Sequence, residues 1–221
     1  MKLQSDRTAR RGLPGWHIAL TPFVLSACLV ARTNADVISP AIIRVEEDWE
    51  LVVVHPEPNL DAPQVTCVIS PTATLDGIHA ALNINHQTTP EYVSGGLQLQ
   101  IYEYEEPITD NLFVNESLHH EHETITWTQS MYLQEGALHF DVTSGSSESW
   151  GEFPADQDLH VAVASDLTDF DAYSPAVSVA NSGVGYAGNR VTSLVLKEVR
   201  WYSAAGLVAT DTDPKTVHPA E

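Results

Sequence analysis

The chain has 221 residues, with 10 Lys and Arg against 30 Asp and Glu, a formal charge of −20 at pH 7. That length suits one domain, and that charge repels nucleic acid and anionic lipid, which excludes both as partners. Of its two cysteines only Cys67 lies beyond the first 35 residues, so a disulfide-stapled scaffold is excluded as well.

Residues 1–35 read as an export signal. Lys2, Arg7, Arg10 and Arg11 form a basic start, residues 18–31 are largely apolar, and Thr33-Asn34-Ala35 offers a small-residue cleavage site before Asp36. The apolar run is short and holds Pro22, so no transmembrane helix is expected there. The same segment carries Leu25-Ser26-Ala27-Cys28, a lipobox pattern in which Cys28 becomes a lipid-modified N-terminus. Both routes stay open: a secreted or periplasmic protein, or one whose only membrane contact is a lipid anchor at Cys28. Five of the ten basic residues but only Asp6 among the acids precede the cut. The remainder therefore carries 5 bases against 29 acids, a net charge of −24.

From residue 36 the pattern is all β. Residues 42–46 and 49–54 read as two short strands or one kinked strand. The run His55-Pro56-Glu57-Pro58 stops them. Residues 63–70 form a strand holding Cys67 as a buried, inert thiol. Residues 78–85 and 97–105 alternate as strands, and 107–123 is a polar connection. The clearest signal follows. Ile125, Trp127, Met131 and Leu133 share one face of a strand; Leu138, Phe140 and Val142 share one face of the next. A two-residue turn at Glu135-Gly136 pairs Tyr132 with His139 and Met131 with Phe140. A second tight turn at Ser144-Gly145 or Gly145-Ser146 places Trp150 on the outer face with Tyr132, His139 and Asp141. Residues 159–165 are a strand, 166–173 an acidic loop, 176–180 a short β-like segment, and 181–189 a glycine-rich loop. Gly183-Val184-Gly185-Tyr186-Ala187-Gly188 matches G-x-G-x-x-G in form, but too little chain follows for a dinucleotide-binding unit. Residues 191–203 are the last long strand. From Thr210 a disordered tail is expected. The domain thus spans 36–209, with about ten strands and no helix.

Two short segments carry a resemblance. Leu196-Lys197-Glu198-Val199-Arg200-Trp201-Tyr202 resembles the final strand of concanavalin A-like and laminin-G-like jelly-roll domains, and residues 135–142 resemble their "D-G-x-L-x-F-x-V" hairpin. The chain beyond the signal is also similar to exported bacterial β-sandwich proteins. The resemblance implies a two-sheet antiparallel sandwich and no particular activity.

Four groups of residues are candidates for chemistry. Tyr132, His139, Asp141 and Trp150 on one outer face suit a glycan, whose C–H faces stack on aromatic rings while polar groups take its hydroxyls. Glu46, Asp48 and Glu50 share a strand face, in a stretch similar to the "E-x-D-x-x-E" strand of jelly-roll glucanases; paired carboxylates of this kind serve a glycoside hydrolase or lyase. Asp166, Asp169 and Asp171 put three hard oxygen ligands in one loop, suited to calcium, which many concanavalin A-like domains bind. His120 and His122 lie two apart in an extended segment and suit zinc or copper. The leading expectation is a non-enzymatic binding or structural module, with a glycan or a cell-surface protein as partner. A catalytic role on the same scaffold is the alternative.

Overall fold

The computed structural model describes residues 39–54, 63–85, 96–113, 118, 120–154, 159–186 and 188–219. The export segment with Cys28, and His119, lie outside the described residues. The strands form an all-β sandwich of two antiparallel sheets. The larger has eight strands. In spatial order its main path is β12 (Gly206–Asp211), β11 (Val191–Ser203), β1 (Arg44–Val53), β6 (Glu123–Gln134), β7 (Ala137–Ser147) and β8 (Gly151–Phe153). Off this path β13 (Lys215–His218) pairs with β11, and β9 (His160–Ala164) with β7. The smaller sheet runs β10 (Gly183–Tyr186), β2 (Gln64–Ile69), β3 (Ile78–Asn85), β4 (Leu97–Glu103) and β5 (Glu106–Phe113).

The central strand β1 alternates between partly exposed and buried at all ten positions. It is one strand, with a register shift against β11 after Asp48. Its inner residues Val45, Trp49, Leu51 and Val53 meet Ile125, Trp127, Met131, Leu138 and Phe140 from β6 and β7. Val65, Cys67, Ile69, Leu82, Leu99 and Ile101 of the smaller sheet complete the core. Trp49 and Trp127, opposite one another in register, stack with centroids 6.2 Å apart. Burying each such side chain contributes roughly 1.5–3 kcal/mol.

The Glu135-Gly136 turn forms as expected. Both residues have positive φ, 52° and 77°, which is the geometry of a primed hairpin turn. The second turn does not fall where the sequence placed it. A bulge sets Thr128 opposite Ser144 and Gln129 opposite Val142, and β7 runs on to Ser147. Gly145 is a packing position instead. A Cβ there would overlap the Phe153 ring. The chain turns at residues 148–150, where the buried Glu123 carboxylate accepts hydrogen bonds from Ser149 N and Oγ, both 2.7 Å.

Three further expectations change. Residues 175–181 form a helix, α1 (Pro175–Asn181), not a strand. Pro175 supplies a pre-set φ at the first turn, and Ser182 N closes the end on Ser178 O at 2.9 Å. The stretch 107–123 contains β5. The tail from Thr210 is not disordered over its described part: β12 and β13 both pair with β11. Between them Lys215 Nζ meets Asp211 Oδ2 at 2.6 Å, and Val217 packs on the core. Composition misleads here because the strand ladder, not an apolar face, holds the segment. Among the described residues no helix is long and apolar enough to cross a membrane.

Candidate functional site

Strand alternation sends Arg44, Glu46, Asp48 and Glu50 of β1 to the outer face of the eight-stranded sheet. Register then fixes their neighbours. Arg44 lies between Tyr202 and Tyr132, Glu46 between Arg200 and Ser130, and Asp48 between Glu198 and Thr128. One strand further, Tyr132 faces His139 and Ser130 faces Asp141; beyond them Asp141 faces His160. The outer face is therefore a polar array five strands wide.

One row of it is a continuous stack. The Arg44 guanidinium sits 5.7 Å from the Tyr202 ring centroid and 5.9 Å from that of Tyr132. Tyr132 stacks on His139 at 4.7 Å, and His139 on His160 at 5.2 Å. His139 Nε2 lies 3.3 Å from Gln134 O, and His139 Nδ1 lies 2.9 Å from His160 Nε2. A carbonyl only accepts, so Nε2 of His139 donates to Gln134 O, and a hydrogen bond between Nδ1 of His139 and Nε2 of His160 joins the two rings. The rings of Tyr132 and His139 thus have neighbours on both faces and turn their edges to solvent.

A second row is an ion-pair network. Arg200 donates to Glu46 Oε2 at 2.9 Å, to Asp48 at 2.5 and 2.8 Å, and to Glu198 at 2.8 Å. The Tyr202 hydroxyl reaches Glu46 at 2.7 Å, and Thr128 reaches Asp48 at 2.6 Å. Burial pushes Glu46 up, but the bonds from Tyr202 and Arg200 and the charge of Arg44 outweigh it and hold the carboxyl below its ordinary range. Glu50 pairs with Lys197 at 3.3 Å. The three carboxylates do share a face, as expected. They are occupied as ion-pair partners, however, and Glu46 is shifted away from the raised pKa that a glycosidase acid requires.

Between the rows lies a group with unmet hydrogen-bonding capacity. Ser130 Oγ, Asp141 Oδ1 and Arg44 Nε are buried and have no hydrogen-bond partner among the described residues. Ser130 is fully buried. Burial holds the Asp141 carboxyl above its usual range, against the opposing pull of His160, the Tyr132 hydroxyl, His139 and Arg44. His160 Nε2 lies 3.7 Å from Asp141 Oδ1. Two clefts of about 450 and 500 Å³ meet here, sharing Tyr132 and Asp141.

Of the proposed ligand residues, then, Tyr132, His139 and Asp141 come together. Trp150 does not. It sits in the 148–150 turn at 9 % exposure, edge-on to Phe153 at 5.6 Å, and belongs to the core. Arg44, Ser130, His160 and Tyr202 adjoin those three and are not among the four outer-face residues the sequence suggests. His160 was legible, since Leu159, Val161 and Val163 point inward and put it outside. Ser130 carried no signal, because a serine on a polar face is unremarkable until its neighbours cover it.

The metal candidates do not assemble. Among the described residues no three His, Cys, Asp or Glu side chains are placed to hold an ion. Asp169 accepts from Asp171 N at 3.1 Å and from Thr168 Oγ1 at 3.0 Å, while Asp171 accepts from Ile42 N at 3.3 Å. Asp169 ties the loop to itself, Asp171 ties it to the backbone at Ile42, and Asp166 is exposed. His120 lies 3.6 Å from Glu148, and His122 takes a positive φ of 58° in a turn.

Glu47 is the one inward-facing carboxylate of β1. It is fully buried and accepts four hydrogen bonds, from Ser178 Oγ (2.5 Å), Tyr173 OH (2.6 Å), Gln129 Nε2 (2.8 Å) and Trp49 Nε1 (3.0 Å). Burial nevertheless keeps it above the ordinary 4.5. Burial, reinforced by Glu47, also pushes the Cys67 thiol well up, away from reactivity.

The fold and this face define the chain as an antiparallel β-sandwich with a cross-strand polar array on one sheet. No protein-family model matches the chain, and no curated protein matches it.

Proposed function

We propose that the protein is an exported, non-enzymatic binding module of the concanavalin A-like jelly-roll kind, and that it holds a glycan at the Arg44–Ser130–Asp141 end of the array. The two-sheet antiparallel architecture is compatible with that scaffold. The observation that carries the reading is the trio of buried, unpartnered polar atoms on a face where the carboxylates of Glu46, Asp48 and Glu50 are ion-paired. Leaving such groups unmet costs roughly 1–3 kcal/mol each. Neighbouring hydroxyls of a sugar both donate and accept, so they meet a carboxylate oxygen, a guanidinium N–H and a serine hydroxyl together. Recognition runs through hydrogen bonds at the edges of the Tyr132–His139–His160 stack, because the ring faces are taken. Export rests on the basic-apolar-small pattern of residues 1–35.

A glycan array with the purified protein tests the binding reading. Retention of an oligosaccharide that weakens about tenfold in Asp141→Asn supports it. Retention of none, or retention indifferent to Asp141→Asn, contradicts it. Mass spectrometry of the mature N-terminus separates cleavage before Asp36 from lipid attachment at Cys28; an intact residue 1 contradicts export.

A further inference from the structure

We infer that a second cleft, at the turn end of the five-stranded sheet, docks a lysine or arginine side chain presented by a partner protein. The β4–β5 hairpin turns at Tyr104-Glu105 and meets the 70–77 loop through Tyr104 N and Gly77 O, 3.3 Å apart. Between them opens a cleft of about 660 Å³. One wall is the stacked pair His79–Tyr102, with centroids 5.4 Å apart. Its rim carries Tyr104, which at 63 % exposure is the most exposed large hydrophobic residue of the described chain. Leu75, Asp76, Glu105 and Glu106 complete the lining.

The charge around this cleft is unbalanced. From residue 45 to residue 189 the sequence contains neither lysine nor arginine. Arg44, Lys197, Arg200 and Lys215 are ion-paired on the other sheet. Asp76, Glu105 and Glu106 have no ion-pair partner among the described residues. A metal is not the complement, since no three ligating groups converge here. The complement is an organic cation whose stem lies on an aromatic face. A lysine or arginine head sits within about 6 Å of a tyrosine ring in such contacts, its charge meeting the carboxylates. An open cleft with an exposed tyrosine at its rim suits a side chain delivered by a protein, and tyrosine is a residue type that dominates protein interfaces. This cleft lies on the other sheet from the glycan site, and neither reading depends on the other.

Fluorescence anisotropy of the full chain with a labelled Gly-Ser peptide bearing two lysines, beside its norleucine counterpart, tests the inference at about 0.15 M salt, where the Debye length is about 8 Å. The lysine peptide should bind and the norleucine peptide should not. Tyr104→Asn, which keeps a residue tolerant of the left-handed backbone at φ 58°, should weaken binding about tenfold, as should Glu105→Gln with Glu106→Gln. Glu152→Gln with Asp166→Asn removes the same charge elsewhere and should leave binding within about twofold. Equal loss in both charge pairs, full binding by Tyr104→Asn, or no preference for the lysine peptide each overturns the proposal; the last two stand whatever the pairs show. Thermal melts confirm that each variant is folded.

Discussion

At the scale of single residues, two buried polar groups separate function from folding. Ser130 presents an unpaired hydroxyl beneath the outer face. Replacing it by alanine deletes a desolvated group without opening a large cavity. Ser130→Ala should therefore leave the ligand-free protein as stable as the parent, or more stable by about 1 kcal/mol. Chemical denaturation measures this, and a loss of more than about 1 kcal/mol would mean that the hydroxyl is satisfied in the free protein. Glu47 makes the opposite prediction. Its folded pKa is raised, so between the ordinary 4.5 and that raised value the native state binds more protons than the unfolded one. Stability from this group is full below about 4.5 and falls as pH rises through the window. Glu47→Gln does not titrate. It should be less stable at acid pH, because its amide faces four donors, and the advantage of the parent over it should shrink as pH rises. Melting curves from pH 4 upward check this; a constant or widening gap contradicts it. Comparing the two proteins cancels Asp141, which shifts in the same direction, and Glu46 and Asp211, which shift in the other.

At the scale of elements, the two glycines of the central hairpins have different work. Gly136 supplies a positive φ, and the sequence announced it. Gly145 leaves room for a ring, which no local pattern announces. Gly145→Ala should cost about 1–3 kcal/mol through overpacking, and much of that cost should vanish in the double variant Gly145→Ala, Phe153→Leu. If the alanine costs the same beside leucine, the contact is not the cause. The C-terminal strands make a further test. A chain ending at residue 211 loses β13 and uncovers the Leu194–Leu196 edge of β11. It should melt several degrees lower, whereas a disordered tail would leave the melt unchanged. These elements also show what the sequence makes legible. Alternation at Ile125, Trp127, Met131 and Leu133 and again at Leu138, Phe140 and Val142 marks two strands, their faces and their turn, and so puts Tyr132, His139 and Asp141 on one face. The bulge at Thr143 is a long-range adjustment of ladder to packing, and with it Trp150 passed from the outer face to the core. Likewise Lys215–His218 has no apolar pattern, because β11 holds it through backbone pairing. Alternation reveals which face a side chain takes; it does not reveal what its cross-strand neighbours already occupy, which is why the stack through Arg44 stayed hidden.

At the scale of the whole molecule, charge and topology act together. Five bases against 29 acids beyond residue 35 leave the compact state under self-repulsion. Added salt screens that repulsion over a Debye length of about 10 Å at 0.1 M. The melting temperature should therefore rise between about 0.01 and 0.5 M NaCl, even though the Arg200 network weakens slightly; a flat or falling curve would mean that repulsion among the acids does not outweigh the ion pairs. The few bases are not scattered. Three of the five, Arg44, Lys197 and Arg200, sit on the outer face of one sheet, where they neutralise Glu46, Asp48 and Glu50 and leave Asp141 Oδ1 and Ser130 Oγ without a hydrogen-bond partner among the described residues. The most direct measurement is titration calorimetry of an array-selected oligosaccharide against the parent, Ser130→Ala and Trp150→Phe. A glycan site at Asp141 and Ser130 predicts that Ser130→Ala weakens affinity about tenfold at unchanged stability, while Trp150→Phe binds as the parent does despite a lower melting temperature. Undiminished binding by Ser130→Ala, or loss of binding in a folded Trp150→Phe, would contradict it.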